Sequence, residues 1–204
     1  MFERFRRRRV ENELSDADLH RAALAGSEDA MATLYRRHGG LVYRFTLRMS
    51  RDTALAEEIT QEVFLAMLSD MARFDAGRGA LSTWLCGIAR NQLWKHLDRG
   101  GNRDAVSDPL DEEGAPELES LDDGPAELLL RQEAVTLVRA GLDGLPDALR
   151  EVVVLCALEE MSYENAAQVL GVPVGTVRSR LHRAKARLAD LVRVEMASAE
   201  RKRR

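Results

Sequence analysis

MSYENAAQVLGVPVGTVRSRLHRAKARL, residues 161–188, has the layout of two helices joined by a tight turn, and each part has a steric reason. Ser162 suits the cap of a short first helix, and Ala166 and Ala167 keep that helix thin enough for another to cross it closely. Gly171 suits the turn, because a residue tolerant of positive φ ends a helix at low cost, and Val172 and Val174 are placed to plug the corner. A second helix is expected to start near Gly175-Thr176. Along it Val177, Leu181, Ala184 and Leu188 recur every three or four positions, which turns one stripe toward a core. The outward set is then Arg178, Ser179, His182, Arg183 and Arg187. A helix of this kind fits the major groove of DNA, where an arginine fork bridges paired acceptors on a base edge. Arg183 is the best-placed base reader; Ser179 and His182 share its face, and Arg178, Arg180 and Arg187 suit phosphates or bases. The plainer alternative is a helical hairpin whose arginines only solvate its surface.

Charge supports the first reading. The 204 residues carry a formal net charge of −4, but Leu170–Ala189 holds five bases and no acid, whereas Gly101–Leu130 holds ten acids and one base. Upstream, residues 14–99 read as one helical block of four helices. Ser15 suits the cap of a first, ending at Gly26. Ser27 would cap a second carrying Met31, Leu34, Tyr35, Val42 and Phe45, and Asp52 a third with Leu55, Ile59, Val63, Phe64 and Met67. The stretch FDAGRGA, Phe74–Ala80, predicts a loop. After it Ser82 would cap a fourth helix through Trp84, Leu85, Ile88 and Leu93 to about Asp98. Residues 100–125 lack periodicity and read as an acidic linker. Past it, a helix through Leu128, Leu129, Val135, Leu137 and Val138 precedes the turn Asp143-Gly144-Leu145-Pro146, and Pro146 suits the first turn of the next helix, which buries Val152, Val153, Leu155 and Leu158. The fold class is all-α: an N-terminal bundle (14–99) and a C-terminal helix-turn-helix domain (126–194), with basic tails at 1–13 and 195–204.

Several function classes are disfavoured. The longest apolar run, Val152–Leu158, has seven residues, far short of the roughly 18–20 a spanning helix needs. No apolar stretch follows the basic start, so the expected location is cytoplasmic. Cys86 and Cys156 lie apart, without metal-ligand spacing, and read as small apolar residues. The acidic stripe Glu57, Glu58, Gln61 and Glu62 invites a metal reading. That reading is rejected because none of His20, His38, His96 and His182 has the Glu-x-x-His placement of di-metal bundles. No cofactor and no catalytic residues are expected.

A second nucleic-acid surface is legible around the predicted loop. Both tryptophans, Trp84 and Trp94, fall within residues 73–99, interleaved with Arg73, Arg78, Arg90, Lys95 and Arg99. Aromatic faces stack on exposed bases while cations follow the phosphates. Trp84 is open to two readings, a core anchor or a stacking face, whereas Asn91 suits direct contact.

Leu142-Asp143-Gly144-Leu145-Pro146, Arg150-Glu151-Val152 and the 161–188 block resemble the fourth region of bacterial sigma factors. Leu34-Tyr35-Arg36-Arg37-His38, Ala56-Glu57-Glu58-Ile59-Thr60-Gln61-Glu62-Val63-Phe64, Phe74, Leu81-Ser82-Thr83-Trp84-Leu85 and Ile88-Ala89-Arg90-Asn91 resemble their second region. With only a linker between them, the arrangement is similar to the extracytoplasmic-function (ECF) group. The resemblance implies a non-enzymatic subunit that binds core RNA polymerase and promoter DNA and answers to an anti-sigma factor. It implies that Thr176, Arg178, Ser179, Arg180, His182, Arg183 and Arg187 meet the duplex minus-thirty-five element. Phe74, Asp75, Arg78, Gly79, Trp84, Asn91 and Lys95 would meet the unstacked minus-ten strand, and Glu57, Glu58, Gln61, Glu62 and Phe64 the polymerase. The competing function is a free-standing helix-turn-helix regulator.

Overall fold

In the computed structural model the described residues are 14–70, 73–99, 136 and 138–202, the side chains of 70, 192 and 194–202 excepted; the linker and the N-terminal basic tail lie outside them, whereas the backbone of the expected C-terminal tail is helical as far as Lys202. Every regular element among these residues is helical. They gather into two compact units, the first comprising the N-terminal helices with Glu164–Gly171, the second the rest of the C-terminal half.

Three of the expected caps start the first three helices. In α1 (Asp16–Leu24) the Asp18 N–H donates to Ser15 Oγ at 3.2 Å, and Gly26 closes the helix with φ +91°. The Ser15 hydroxyl in turn donates to the Asp18 carboxylate at 2.6 Å, and that bond, chiefly, holds the carboxyl below its ordinary range. In α2 (Glu28–Ser50) the Ala30 N–H donates to Ser27 Oγ, and in α3 (Thr53–Asp70) the Leu55 N–H donates to Asp52 Oδ1 at 3.0 Å. Each bond satisfies an amide that the helix geometry leaves without a partner.

The fourth start differs from expectation. Helix α4 (Leu81–Arg99) opens at Leu81, with the Thr83 and Trp84 amides on the Ala80 carbonyl, so Ser82 falls inside the first turn. Leu81 is 1 % exposed, and its burial draws the helix start back into the bundle.

Helix α2 packs against α1, α3 and α4, and α3 packs against α4. The shared core holds Leu19, Leu34, Val42, Phe45, Ile59, Val63, Met67, Leu85 and Leu93, all wholly buried. Tyr35, expected on the buried side of α2, is 47 % exposed. Helix α1 is pinned to α2 by Asp16, whose carboxylate accepts from Arg37 Nη1 at 2.9 Å and meets His38 Nε2 at 2.7 Å; Arg37 also donates to the Leu14 carbonyl.

In the second unit, residues 138–143 are helical and the chain turns at Gly144. Pro146 stands one place before α5 (Asp147–Val153), as its cap residue at φ −55°, rather than inside its first turn. The turn is held by Arg150, 6 % exposed. It donates from Nε to the Leu142 carbonyl at 3.0 Å and from Nη2 to those of Asp143 and Leu145 at 3.1 and 2.9 Å. Two carbonyls at the end of one helix and one in the turn are thus satisfied by a side chain from the next, and Asp147 lies 3.4 Å from the same guanidinium. Of the expected helix through Leu128, Leu129, Val135, Leu137 and Val138, the part from 138 to 143 is described and helical, with Val138 47 % exposed; Leu128, Leu129, Val135 and Leu137 lie outside the described residues.

Val152, Val154 and Leu155 are wholly buried, as their run predicts, but Leu158 is half-buried and the backbone widens to a π-helix over Val154–Leu158. That single wide turn inserts a residue into the ladder and shifts the helical phase of the residues after it. Cys86 is wholly buried. Cys156 is half-buried, and burial raises its thiol pKa. Helix α6 (Tyr163–Leu170) starts directly after Ser162 and ends at Gly171, with φ +65°. Helix α7 (Val174–Lys202) begins earlier than expected, because the Thr176 and Val177 amides close on the Pro173 carbonyl.

One hydroxyl stands apart. Thr33, Thr46 and Thr60 each donate to the carbonyl four residues back, at 2.9, 2.9 and 2.7 Å. Thr83, 5 % exposed, sits in the first turn of α4, where the residue four back belongs to the loop, and its Oγ1 is buried without a partner.

Replacing Arg150 with Met is expected to cost about 3–5 kcal/mol in denaturant unfolding, since buried carbonyls lose their donor. Thr83→Val is expected to leave stability unchanged or raised, whereas Thr60→Val should lower it by about 1 kcal/mol; equal losses at the two sites would contradict the accounting.

Candidate functional site

Three surfaces emerge from the residues that the helices leave outside. On α7 the apolar stripe turns in as the spacing requires: Val177, Leu181 and Ala184 are buried and Leu188 half-buried. Arg178, Ser179, His182, Arg183, Lys185 and Arg187 are exposed, Thr176 and Arg180 half-exposed. Three of the outward residues are engaged locally. The Arg178 guanidinium lies over the Tyr163 ring at 5.8 Å, a cation–π distance. The Ser179 hydroxyl donates to the Thr176 carbonyl at 3.0 Å, while Nε of the exposed Arg183 makes a long 3.3 Å bond to the Ser179 carbonyl. A cationic, acid-free helix face with arginine forks is chemically a polyanion surface able to read base edges.

The second surface forms where the loop after α3 meets α4. The Asp75 carboxylate accepts from the Gly77 amide at 2.9 Å, and the Arg78 amide donates to the Asp75 carbonyl, so Asp75 shapes the loop. Phe74, Asp75, Arg78, Gly79, Trp84 and Asn91 are brought to one open cavity, together with Arg73 and Ile88. An adjoining cavity of about 360 Å³ adds Gln92 and Lys95 to Arg73, Trp84, Ile88 and Asn91. Trp84, Ile88, Asn91 and Lys95 fall at spacings of four, three and four, which is one face of the helix. Trp84 is half-buried rather than a core anchor, its ring 5.6 Å from that of Phe74. The cavity therefore pairs aromatic walls with a guanidinium, an amide and glycine backbone, which suits a flat, polar-edged ring next to an anionic backbone.

The third surface is the outer face of α3. Glu57, Glu58 and Gln61 are exposed and Glu62 half-buried. Phe64 does not join them: it is 5 % exposed, with its ring 4.7 Å from that of Tyr35. The outward apolar residues are instead Leu65 and Leu68, 62 % and 49 % exposed, which sequence reasoning passed over. One periodic apolar helix shows which residues are boundary positions but not which of two neighbours the adjacent helix covers. No histidine has the Glu-x-x-His spacing, but one reaches the acidic stripe from the neighbouring helix. His96 Nε2 on α4 lies 3.4 Å from the Glu62 carboxylate, and Glu58, Glu62 and His96 bring ligand-type atoms within 4.8 Å of one another.

Among the described residues no helix is long and apolar enough to cross a membrane. Residues 34–103 match Sigma-70 region 2 and residues 136–188 match Sigma-70 region 4. The ECF RNA polymerase sigma factor SigE of Mycolicibacterium smegmatis is 33 % identical over 81 % of this chain and 63 % of its own length. The RNA polymerase sigma-H factor of Pseudomonas aeruginosa is 32 % identical over 83 % of this chain and 90 % of its own. Among solved structures, CnrH in complex with the cytosolic domain of CnrY covers 88 % of this chain and 97 % of its own at a TM-score of 0.64 and 27 % identity. The Bartonella quintana sigma factor RpoE, solved with the anti-sigma factor NepR, shares the fold at a TM-score of 0.63, 24 % identity, over 80 % of this chain and 96 % of its own. With the two regions in their order along the chain and a relative of 32 % identity matched over nine-tenths of its length, the chain belongs to the ECF-type sigma-70 family: RNA polymerase sigma factors, non-enzymatic initiation factors that bind core polymerase and promoters.

Proposed function

We propose that the three surfaces divide the work of promoter-directed initiation. The outward face of α7 reads the minus-thirty-five element as duplex. Arg183 acts as the principal base reader, His182 and Ser179 stand beside it, and Arg180 and Arg187 hold phosphates. Arg178, stacked on Tyr163, enters as a pre-oriented cation. The cavity of Phe74, Trp84 and Asn91 takes a base unstacked from the minus-ten strand. Extruding a base costs a few kcal/mol, and without a chemical energy source that cost must be offset by stacking and hydrogen bonds in a shaped pocket. Lys95, at the adjoining cavity, tracks the strand. The outer face of α3 docks on core polymerase, with Glu57, Glu58 and Gln61 steering toward basic side chains and Leu65 and Leu68 supplying apolar contact that charge alone lacks.

The observation that carries this reading is the grouping of the minus-ten candidates, which are spread over twenty-two positions of sequence from Phe74 to Lys95, around two adjoining cavities. CnrH is solved in complex with the cytosolic domain of CnrY, and RpoE in complex with the anti-sigma factor NepR. We extend that to this chain as control by an anti-sigma partner that covers the same faces. In this reading residues 14–99 and 126–194 act as regions 2 and 4 and residues 100–125 as their acidic linker.

In-vitro transcription with core enzyme and a promoter library tests the assignment. Arg183→Ala is expected to lower minus-thirty-five discrimination by about 1–3 kcal/mol; equal transcription from cognate and altered elements would remove Arg183 from the reading face. Glu58→Lys combined with Leu65→Ser should weaken association with core polymerase while leaving binding to a minus-thirty-five duplex intact. Sequence-specific binding by the isolated chain as a symmetric dimer would favour a free-standing regulator instead.

A further inference from the structure

His20 lies outside every surface described above, yet its position ties it to the strand-binding cavity. It is on α1, 7 % exposed, next to the wholly buried Leu19. Its ring meets Phe74 edge-to-face, with centroids 4.9 Å apart and planes at 77°, and Phe74 in turn lies against Trp84 at 5.6 Å and 41°. Three rings from three parts of the chain thus form one row: a buried residue of the first helix, the first apolar residue of the loop, and the cavity wall on α4.

The loop needs such a support. Between Arg73 and Ala80 only Phe74 and Gly79 are partly buried, the others being exposed, and Phe74 is the sole large apolar side chain in the stretch. The turn at Asp75 gives the loop its local shape through the Gly77 amide, but a turn does not fix where the loop stands relative to the bundle. Phe74 does, and what Phe74 rests on is therefore decisive. Edge-to-face contact favours an electropositive ring edge over a π-face and sets orientation as well as distance. Its support is itself anchored, because α1 is fastened to α2 by the Asp16 carboxylate between Arg37 and His38.

We propose that His20 is a positioning residue for minus-ten recognition: it holds Phe74 against Trp84 and so sets the opening that receives the unstacked base. The proposal rests on the assignment of that cavity to the minus-ten strand. It also gives α1 a part in promoter selectivity, although no α1 residue is among those brought to the cavity.

The test uses the full chain with core polymerase on promoters that vary at the unstacked position. The unsubstituted protein must first initiate and discriminate at that position; failure there would strike the cavity assignment itself rather than His20. Given that control, His20→Ala is expected to slow open-complex formation and reduce minus-ten discrimination by about two- to tenfold, the size that a ring pair contributes. Core affinity and minus-thirty-five duplex binding should not change. His20→Phe, which keeps a ring edge on Phe74, should restore discrimination, whereas His20→Leu, which keeps volume and protects folding, should not. In a Trp94→Phe background Trp84 is the single fluorescent tryptophan, and its emission should move in His20→Ala. Unchanged discrimination, unchanged emission, full rescue by Leu, or a parallel fall in core affinity would each overturn the proposal.

Discussion

A helix can bury one stripe, and in the N-terminal bundle that stripe is committed where α3 and α4 meet. Ile59, Val63 and Met67 on one and Leu85 and Leu93 on the other are wholly buried, and α2 closes over them with Leu34, Val42 and Phe45. With those positions fixed, the opposite faces have nowhere to go but outward. Helix α3 presents Glu57, Glu58, Gln61, Leu65 and Leu68; helix α4 presents Asn91 and Lys95, with half-buried Trp84 and Ile88 beside them. The two candidate surfaces of the bundle are consequences of how its core is phased, and any repacking that rotated either helix would move the face it carries.

The C-terminal unit solves a similar problem with polar means. Short helices cannot bury enough apolar area to hold their ends, so the turn between residues 138–143 and α5 is organised by one buried guanidinium serving three carbonyls. The expected apolar run Val152–Leu158 is buried through Leu155 and then widens into a π-turn. On α7 the same division of faces recurs, with an aliphatic stripe inside and cations outside.

The electrostatic layout follows the mechanical one. Acidic residues gather on the outer face of α3 and in the linker, bases on α7 and around the loop of Phe74. One chain therefore carries a partly anionic face and separate cationic faces. The like-signed surfaces are thus confined to separate elements, and complementary potentials of this kind favour partners of opposite charge at each face.

The caps at Ser15, Ser27 and Asp52, the Gly171 turn, the inward stripe and basic outward face of α7, and the loop at Phe74 all follow from local chemistry and were legible along the chain. Each depends on residues within one or two turns of each other, and so does helix content. What tertiary structure alone decided concerns the boundary positions. Phe64 is covered by Tyr35 while its neighbour Leu65 is left outside; His96 reaches Glu62 across two helices; Thr83 loses its usual acceptor because α4 begins at Leu81; and His20 meets Phe74 although 54 positions separate them. A periodic pattern fixes which face of a helix is apolar. It does not fix which neighbour that face meets, because adjacent apolar residues differ by about 100° around the axis and only a packed partner selects between them.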